Sequence, residues 1–83
     1  MNKLINKYEC FQGNKLVYVG TTINMDRREA EHRTEGMHFS SMRKVGRATT
    51  PEAASKWETA RIHTYQKNHG GNLPMYNKND TGK

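Results

Sequence analysis

The sequence predicts a small α+β fold: a three-stranded antiparallel sheet flanked by helices, in the order β-hairpin, helix, strand, helix, C-terminal segment. Three observations predict it. Two β-prone runs, Leu4 to Phe11 and Leu16 to Gly20, flank Gln12-Gly13-Asn14-Lys15, whose Gly and Asn suit a tight turn. Two helical segments carry capping residues at their starts and glycines past their ends. Finally, 83 residues bound the chain to a single domain of thin stability margin, spanning 1–83 with 78–83 as a flexible polar tail.

Each element has its own signal. The hairpin leaves one choice open, since a two-residue loop at Gly13-Asn14 sets Tyr8 opposite Val19 and sends Tyr8 and Tyr18 to opposite faces. A three-residue loop at Gln12-Gly13-Asn14 pairs Tyr8 with Tyr18 on one face. After Gly20, Thr22 or Asn24 caps a charged helix over about Met25 to Thr34, which Gly36 ends. Phe39 to Thr49 mixes apolar and basic residues without a helical period and reads as a third, partly exposed strand carrying Arg43, Lys44 and Arg47. Thr50-Pro51-Glu52 supplies an N-cap, a proline at the first helical position and an acid at the positive end of the helix dipole. The second helix runs to about Asn68, and Gly70-Gly71 stops it.

Composition narrows the function classes. Fourteen Lys and Arg against eight Asp and Glu give a net charge of +6, a surplus that concentrates polyanions and favours nucleic acid as partner, although a charged surface also serves solubility. The single cysteine, Cys10, rules out an internal disulfide, and it lies in a predicted strand, where a small core residue is expected. With no signal-peptide pattern and no run near the ~20 apolar residues of a membrane span, the expected setting is cytoplasmic, away from membranes.

Some residues are poorly explained by packing. On the first helix the stripe Met25, Arg28, Glu29, His32 has one hydrophobe among three ionisable groups. Arg28 and His32, four residues apart, put a permanent cation and a titratable imidazole on one side, which suits a phosphate-facing surface as well as a solvated one. On the second helix Ala54, Glu58, Ile62 and Tyr65 share a stripe that is otherwise apolar. Glu58 must therefore reach a wet rim or pair with an arginine or a metal, because burying an uncompensated carboxylate costs several kcal/mol.

The order of these residues resembles the GIY-YIG nuclease family, named for two strand motifs that each carry a tyrosine. Its second motif corresponds to Tyr18-Val19-Gly20, leading through Thr21-Thr22-Ile23-Asn24-Met25-Asp26-Arg27-Arg28 to Glu31-His32. Of the first motif only the tyrosine is retained, in Asn6-Lys7-Tyr8. The resemblance runs from about Tyr8 to Asn77. It implies a metal-dependent endonuclease cutting DNA phosphodiester bonds, with Tyr8, Tyr18, Arg28, His32, Glu58 and Asn77 at the catalytic site. It also implies that Glu58 holds one Mg²⁺ or Mn²⁺, that a phenol aided by Arg28 acts on the attacking water, and that Asn77 orients these groups.

Arg27, Arg43, Lys44 and Arg47 are the cations expected to meet the DNA backbone. Sequence specificity would then come from a homodimer, a partner protein or the DNA structure, because one domain of this size has no room for a reader module. Two other readings use the same residues. One is a non-catalytic basic module that binds nucleic acid; the other is a protein-binding partner that uses the sheet surface.

Overall fold

A computed structural model describes residues 4–77, so the expected tail at 78–83 lies outside the described residues. The strands are β1 (Asn6–Gln12), β2 (Lys15–Thr22) and β3 (Ser41–Lys44), and the helices are α1 (Met25–Thr34) and α2 (Pro51–Asn68). All strand pairs are antiparallel and the sheet order is β2-β1-β3. The α+β architecture expected from the sequence is the one observed.

The hairpin follows neither expected register. Its loop is the two-residue Gly13-Asn14, with Gly13 at φ 62° and no non-glycine residue at positive φ among the described residues. Glycine at the first central position with a negative φ at the second is the type II′ arrangement, whose twist matches the strands it joins. From Gln12↔Lys15 and Phe11↔Leu16 the pairing then shifts, and Cys10 lies opposite Tyr18 and Tyr8 opposite Gly20. Val17 is the extra residue of a β-bulge, which moves every later position of β2 by one place. The expectation that a two-residue loop separates the tyrosines is thus corrected: the bulge restores them to one face, as diagonal neighbours with ring centroids 6.0 Å apart.

The third strand is shorter than the Phe39–Thr49 run expected. Regular pairing with β1 spans Ser41–Lys44, and Arg47 lies beyond it. Gly46, at φ 63°, turns the chain out of line before Thr49 returns to bridge Ile5 through two backbone hydrogen bonds of 2.7 and 2.9 Å.

The helix caps fall where side-chain chemistry places them. Asn24 is the N-cap of α1, its Oδ1 accepting from Arg27 N at 3.0 Å, while Thr22 Oγ1 accepts from Asn24 N at 3.1 Å and holds the cap in place. Thr50 Oγ1 accepts from Ala53 N at 3.2 Å ahead of Pro51, the first residue of α2.

Each face of the sheet carries a core. Tyr8, Cys10, Val17 and Tyr18 pack with Phe39, Met25, Met37, Met42 and Tyr76 on the side of α1. On the opposite face Leu16 and Val19 pack with Ile62 and Tyr65 of α2, joined by Phe11, Trp57 and Leu73. Arg61 of α2 donates to the Glu9 carboxylate of β1 at 2.5 Å, which fixes that helix across the sheet. The chain then returns along the free edge of β2. There Tyr76 N donates to Val17 O at 2.8 Å, and both ends of the Asn77 amide bond the backbone of Val19, at 2.9 and 3.0 Å. Among the described residues no helix is long and apolar enough to cross a membrane.

Candidate active site

The site is built over Gly20. Because Tyr8 sits opposite Gly20 in the register and Tyr18 is two residues away on the same face, both rings lie across bare backbone. An added Cβ at Gly20 would stand 2.6 Å from Tyr8 Oη and 2.7 Å from Tyr18 Cε2. The glycine is there to make room for the phenols.

Helix α1 delivers the ionisable groups onto these rings. His32 is 1% exposed, and its Nε2 is 2.7 Å from Tyr8 Oη. Its ring also meets Tyr18 edge-on, with centroids 4.8 Å apart. Arg28, one turn earlier, is half-buried, pairs with Glu31 at 3.3 Å and sits beside both phenols. These side chains open on a cavity of about 460 Å³, lined by Tyr18, Arg28, His32, Glu35, Gly36, Met37 and Tyr76. Tyr8 is fully buried behind this wall, so Tyr18 is the phenol that faces the cavity.

Glu58 lies inside the protein. At 2% exposure it corrects the wet-rim alternative for this residue, and its negative charge reaches the Tyr18 phenol, whose ionisation it opposes. Among the described residues no group of three or more His, Cys, Asp and Glu side chains could hold a metal ion. Glu58 also lines none of the cavity onto which the phenols open.

The electrostatics differ from a simple phenolate site. Burial pushes the Tyr8 hydroxyl well above the usual range, Tyr18 adds to the rise, and Arg28 opposes it. Tyr18 is raised for the same reason, again with Arg28 opposing. The expectation that the Arg28 cation favours phenolate thus has the right sign, but desolvation outweighs it, and both side chains rest as neutral phenols. Burial alone would lower the Arg28 pKa; the neighbouring Tyr8, Glu31 and Tyr18 raise it above its ordinary value, so Arg28 remains cationic. His32 is held below the ordinary imidazole range by burial and then by Arg28, against the opposing pull of Glu35 and Glu31. A neutral imidazole beside a neutral phenol is the resting state. Cys10, whose thiol burial pushes up to about 12, is an inert core residue.

Four of the six expected catalytic residues, Tyr8, Tyr18, Arg28 and His32, stand in direct proximity here, whereas Glu58 lines none of the cavity and acts on it only through its charge at Tyr18. Asn77 is adjacent but engaged differently. Its amide oxygen and nitrogen each bond the backbone of Val19, the residue after Tyr18, so it holds the strand that carries the phenol.

The expected DNA contacts are more dispersed. Arg27 stands next to Arg28 on the outer side of α1. Lys44 pairs with Tyr8 and shares its face, whereas Arg43 pairs with Glu9 and projects to the opposite face over the Phe11 ring, 5.5 Å from its centroid. Arg43, Lys44 and Arg47 line none of the main cavity.

Glu35, Met37 and Tyr76 line the cavity without any sequence signal that singles them out. Glu35 is one acid among several on a charged helix, and the other two read as ordinary partly buried hydrophobes. Comparison with protein-family models, curated proteins and solved structures finds no match to this chain.

Proposed function

We propose that this chain is a metal-dependent endonuclease of the GIY-YIG type, hydrolysing DNA phosphodiester bonds in the cavity between α1 and the tyrosine face of the sheet. The observation that carries the reading is the meeting of two phenols, a permanent cation and a buried neutral imidazole over Gly20, with a buried carboxylate acting on the nearer phenol. An ordinary packing role accounts poorly for that set, because desolvating so many ionisable groups together is costly.

Arg28 enters the cavity as a fixed positive charge and offsets the charge that builds on the phosphate oxygens. A Mg²⁺ or Mn²⁺ ion held by Glu58 would polarise the phosphate and stabilise the departing oxygen. Tyr18, the phenol at the cavity wall, receives a proton from the attacking water as its own passes to Tyr8, and Tyr8 passes one to His32 Nε2. Because the transfers are linked, neither buried phenol has to exist alone as phenolate. The relay joins two phenols that resist losing a proton outright to a neutral imidazole whose Nε2 is 2.7 Å from Tyr8 Oη; burial and Arg28 disfavour protonation of that ring, while Glu35 and Glu31 favour it. Asn77 keeps β2 in place through Val19 and takes no part in the chemistry.

A second reading, a basic nucleic-acid-binding module without catalysis, is favoured by the position of the exposed cations on and beyond β3, away from the cavity. Both readings give DNA affinity that falls with salt. Incubation of the purified chain with supercoiled plasmid separates them. Relaxation or linearisation in Mg²⁺ or Mn²⁺, abolished by EDTA, supports the nuclease; retention on the plasmid with no cleavage in either metal supports the binding module.

A further inference from the structure

The acid at the end of α1 occupies an unusual place. Glu35 is the C-cap residue of that helix, at the negative end of its dipole, where a carboxylate is disfavoured and a cation preferred. Arg28 on the same helix pairs with Glu31. Glu35 Oε1 is 3.4 Å from His32 Nδ1, while the other ring nitrogen, Nε2, is 2.7 Å from Tyr8 Oη. Glu35 is 61% exposed and lines the cavity, whereas His32 is buried. The imidazole therefore spans from a solvent-facing carboxylate to a phenol in the core.

We infer that Glu35 is a positioning residue that fixes the proton of neutral His32 on Nδ1, leaving Nε2 as the acceptor for the Tyr8 hydroxyl. An ionised carboxylate only accepts hydrogen bonds, so the nitrogen facing it carries the hydrogen, and a neutral imidazole has just one. Nε2 then has a lone pair to offer, and Tyr8 is the donor of the 2.7 Å bond. Reversing the tautomer would aim an N–H at Tyr8 and a lone pair at a carboxylate, losing the first acceptor and adding a repulsion.

The catalytic consequence rests on the nuclease reading. When the Tyr8 proton moves to Nε2, the ring becomes an imidazolium and Glu35 stabilises the new charge from the other side. The groups that face His32 are Tyr8 from β1, Tyr18 from β2, and Arg28, Glu31 and Glu35 from α1. Of these, Glu35 has the largest influence favouring the protonated ring, which burial and Arg28 oppose.

The test is nitrogen-detected NMR of the His32 ring in the full chain and in Glu35→Ala and Glu35→Gln, across pH. The wild type is expected to show its single proton on Nδ1 in the neutral form. Glu35→Ala should weaken that preference and titrate at lower pH. Glu35→Gln, whose amide oxygen still accepts from Nδ1, should keep the tautomer while losing the charge effect on titration. If the chain cleaves DNA, single-turnover cleavage should fall about 10–100-fold in Glu35→Ala, taking the scale known for the outer partners of metal-bound histidines, with substantial recovery in Glu35→Gln. A wild-type ring protonated on Nε2, or a His32 tautomer and titration that ignore both substitutions, overturns the assignment. The NMR result stands whether or not the chain cleaves DNA. A tautomer that follows Glu35 in a protein that cuts nothing upholds the positioning role and refutes the nuclease reading.

Discussion

Replacing Gly20 with alanine adds one methyl group at the point where the two phenols cross β2. That carbon would stand 2.6 Å from Tyr8 Oη, 2.7 Å from Tyr18 Cε2 and 2.8 Å from Tyr8 Cζ. Nonbonded carbon atoms rest at about 3.5–4.0 Å, so each contact is short by roughly 1 Å. Tyr8 is fully buried and cannot give way, and Tyr18, nearly buried, can yield only toward the cavity it lines. Overpacking of this kind costs about 1–3 kcal/mol, and two trapped rings place Gly20→Ala in the upper part of that range. For a domain this size each kcal/mol moves the melting temperature by roughly 4–8 °C, which gives a fall of about 10–20 °C. Cleavage should suffer more than folding, because a reacting group displaced by about 1 Å can cost 10²-fold. Thermal unfolding by circular dichroism, paired with single-turnover cleavage below the transition, measures both. A melting temperature within a few degrees of wild type would show that the phenols are not packed on Gly20 and would refute the geometry of the site.

Four further outcomes follow from the same arrangement. Asn77→Ala strips two hydrogen bonds from the Val19 backbone and should destabilise the fold by roughly 1–3 kcal/mol, read by thermal unfolding; an unchanged melting temperature would mean the β2 edge needs no brace. Arg28→Ala should lower cleavage by about 10²–10³-fold with little change in melting temperature, whereas loss of folding would make Arg28 a structural residue. Tyr8→Phe keeps the ring and removes the hydroxyl that meets His32, so cleavage should fall sharply while stability changes by about 1 kcal/mol. Stability should also depend on pH through His32. Its folded pKa is depressed, so between that value and the unfolded value near ~6.5 the unfolded chain binds more protons. Stability then declines as pH drops through that window and levels off below it, and His32→Gln should flatten the decline in denaturant titrations.

Much of the site was legible because it lies in elements with strong local signals. The Asn24 and Thr50 caps, the proline at the start of α2 and the alternation around Tyr8 and Cys10 locate the elements from short-range chemistry alone. Glu58 stands out because a carboxylate interrupts an apolar stripe, and that stripe is buried as its spacing predicts. The juxtaposition of the tyrosines was not legible, since it depends on a bulge at Val17 that no residue preference announces. Overextension of the third strand has a similar origin: the β-prone composition continues past Lys44, but Gly46 adopts a conformation that breaks the ladder.

Protonation states were harder still. Arg28 beside two phenols suggests phenolate, and only the depth of burial reverses that balance. Glu35 was invisible for the opposite reason. An exposed acid in a run of charged residues has no pattern to distinguish it until the fold brings its carboxylate to His32 Nδ1.

In the nuclease reading a DNA phosphate and a divalent ion meet this protein between Glu58 and Arg28. A crystal of the chain with Mn²⁺ and a short duplex, analysed by anomalous scattering, tests that reading most directly. An ion is expected on the Glu58 carboxylate at about 2.0–2.3 Å, with a backbone phosphate against Arg28 and the Tyr18 hydroxyl. A duplex lying along Arg43, Lys44 and Arg47 with no ion at Glu58 would contradict the reading.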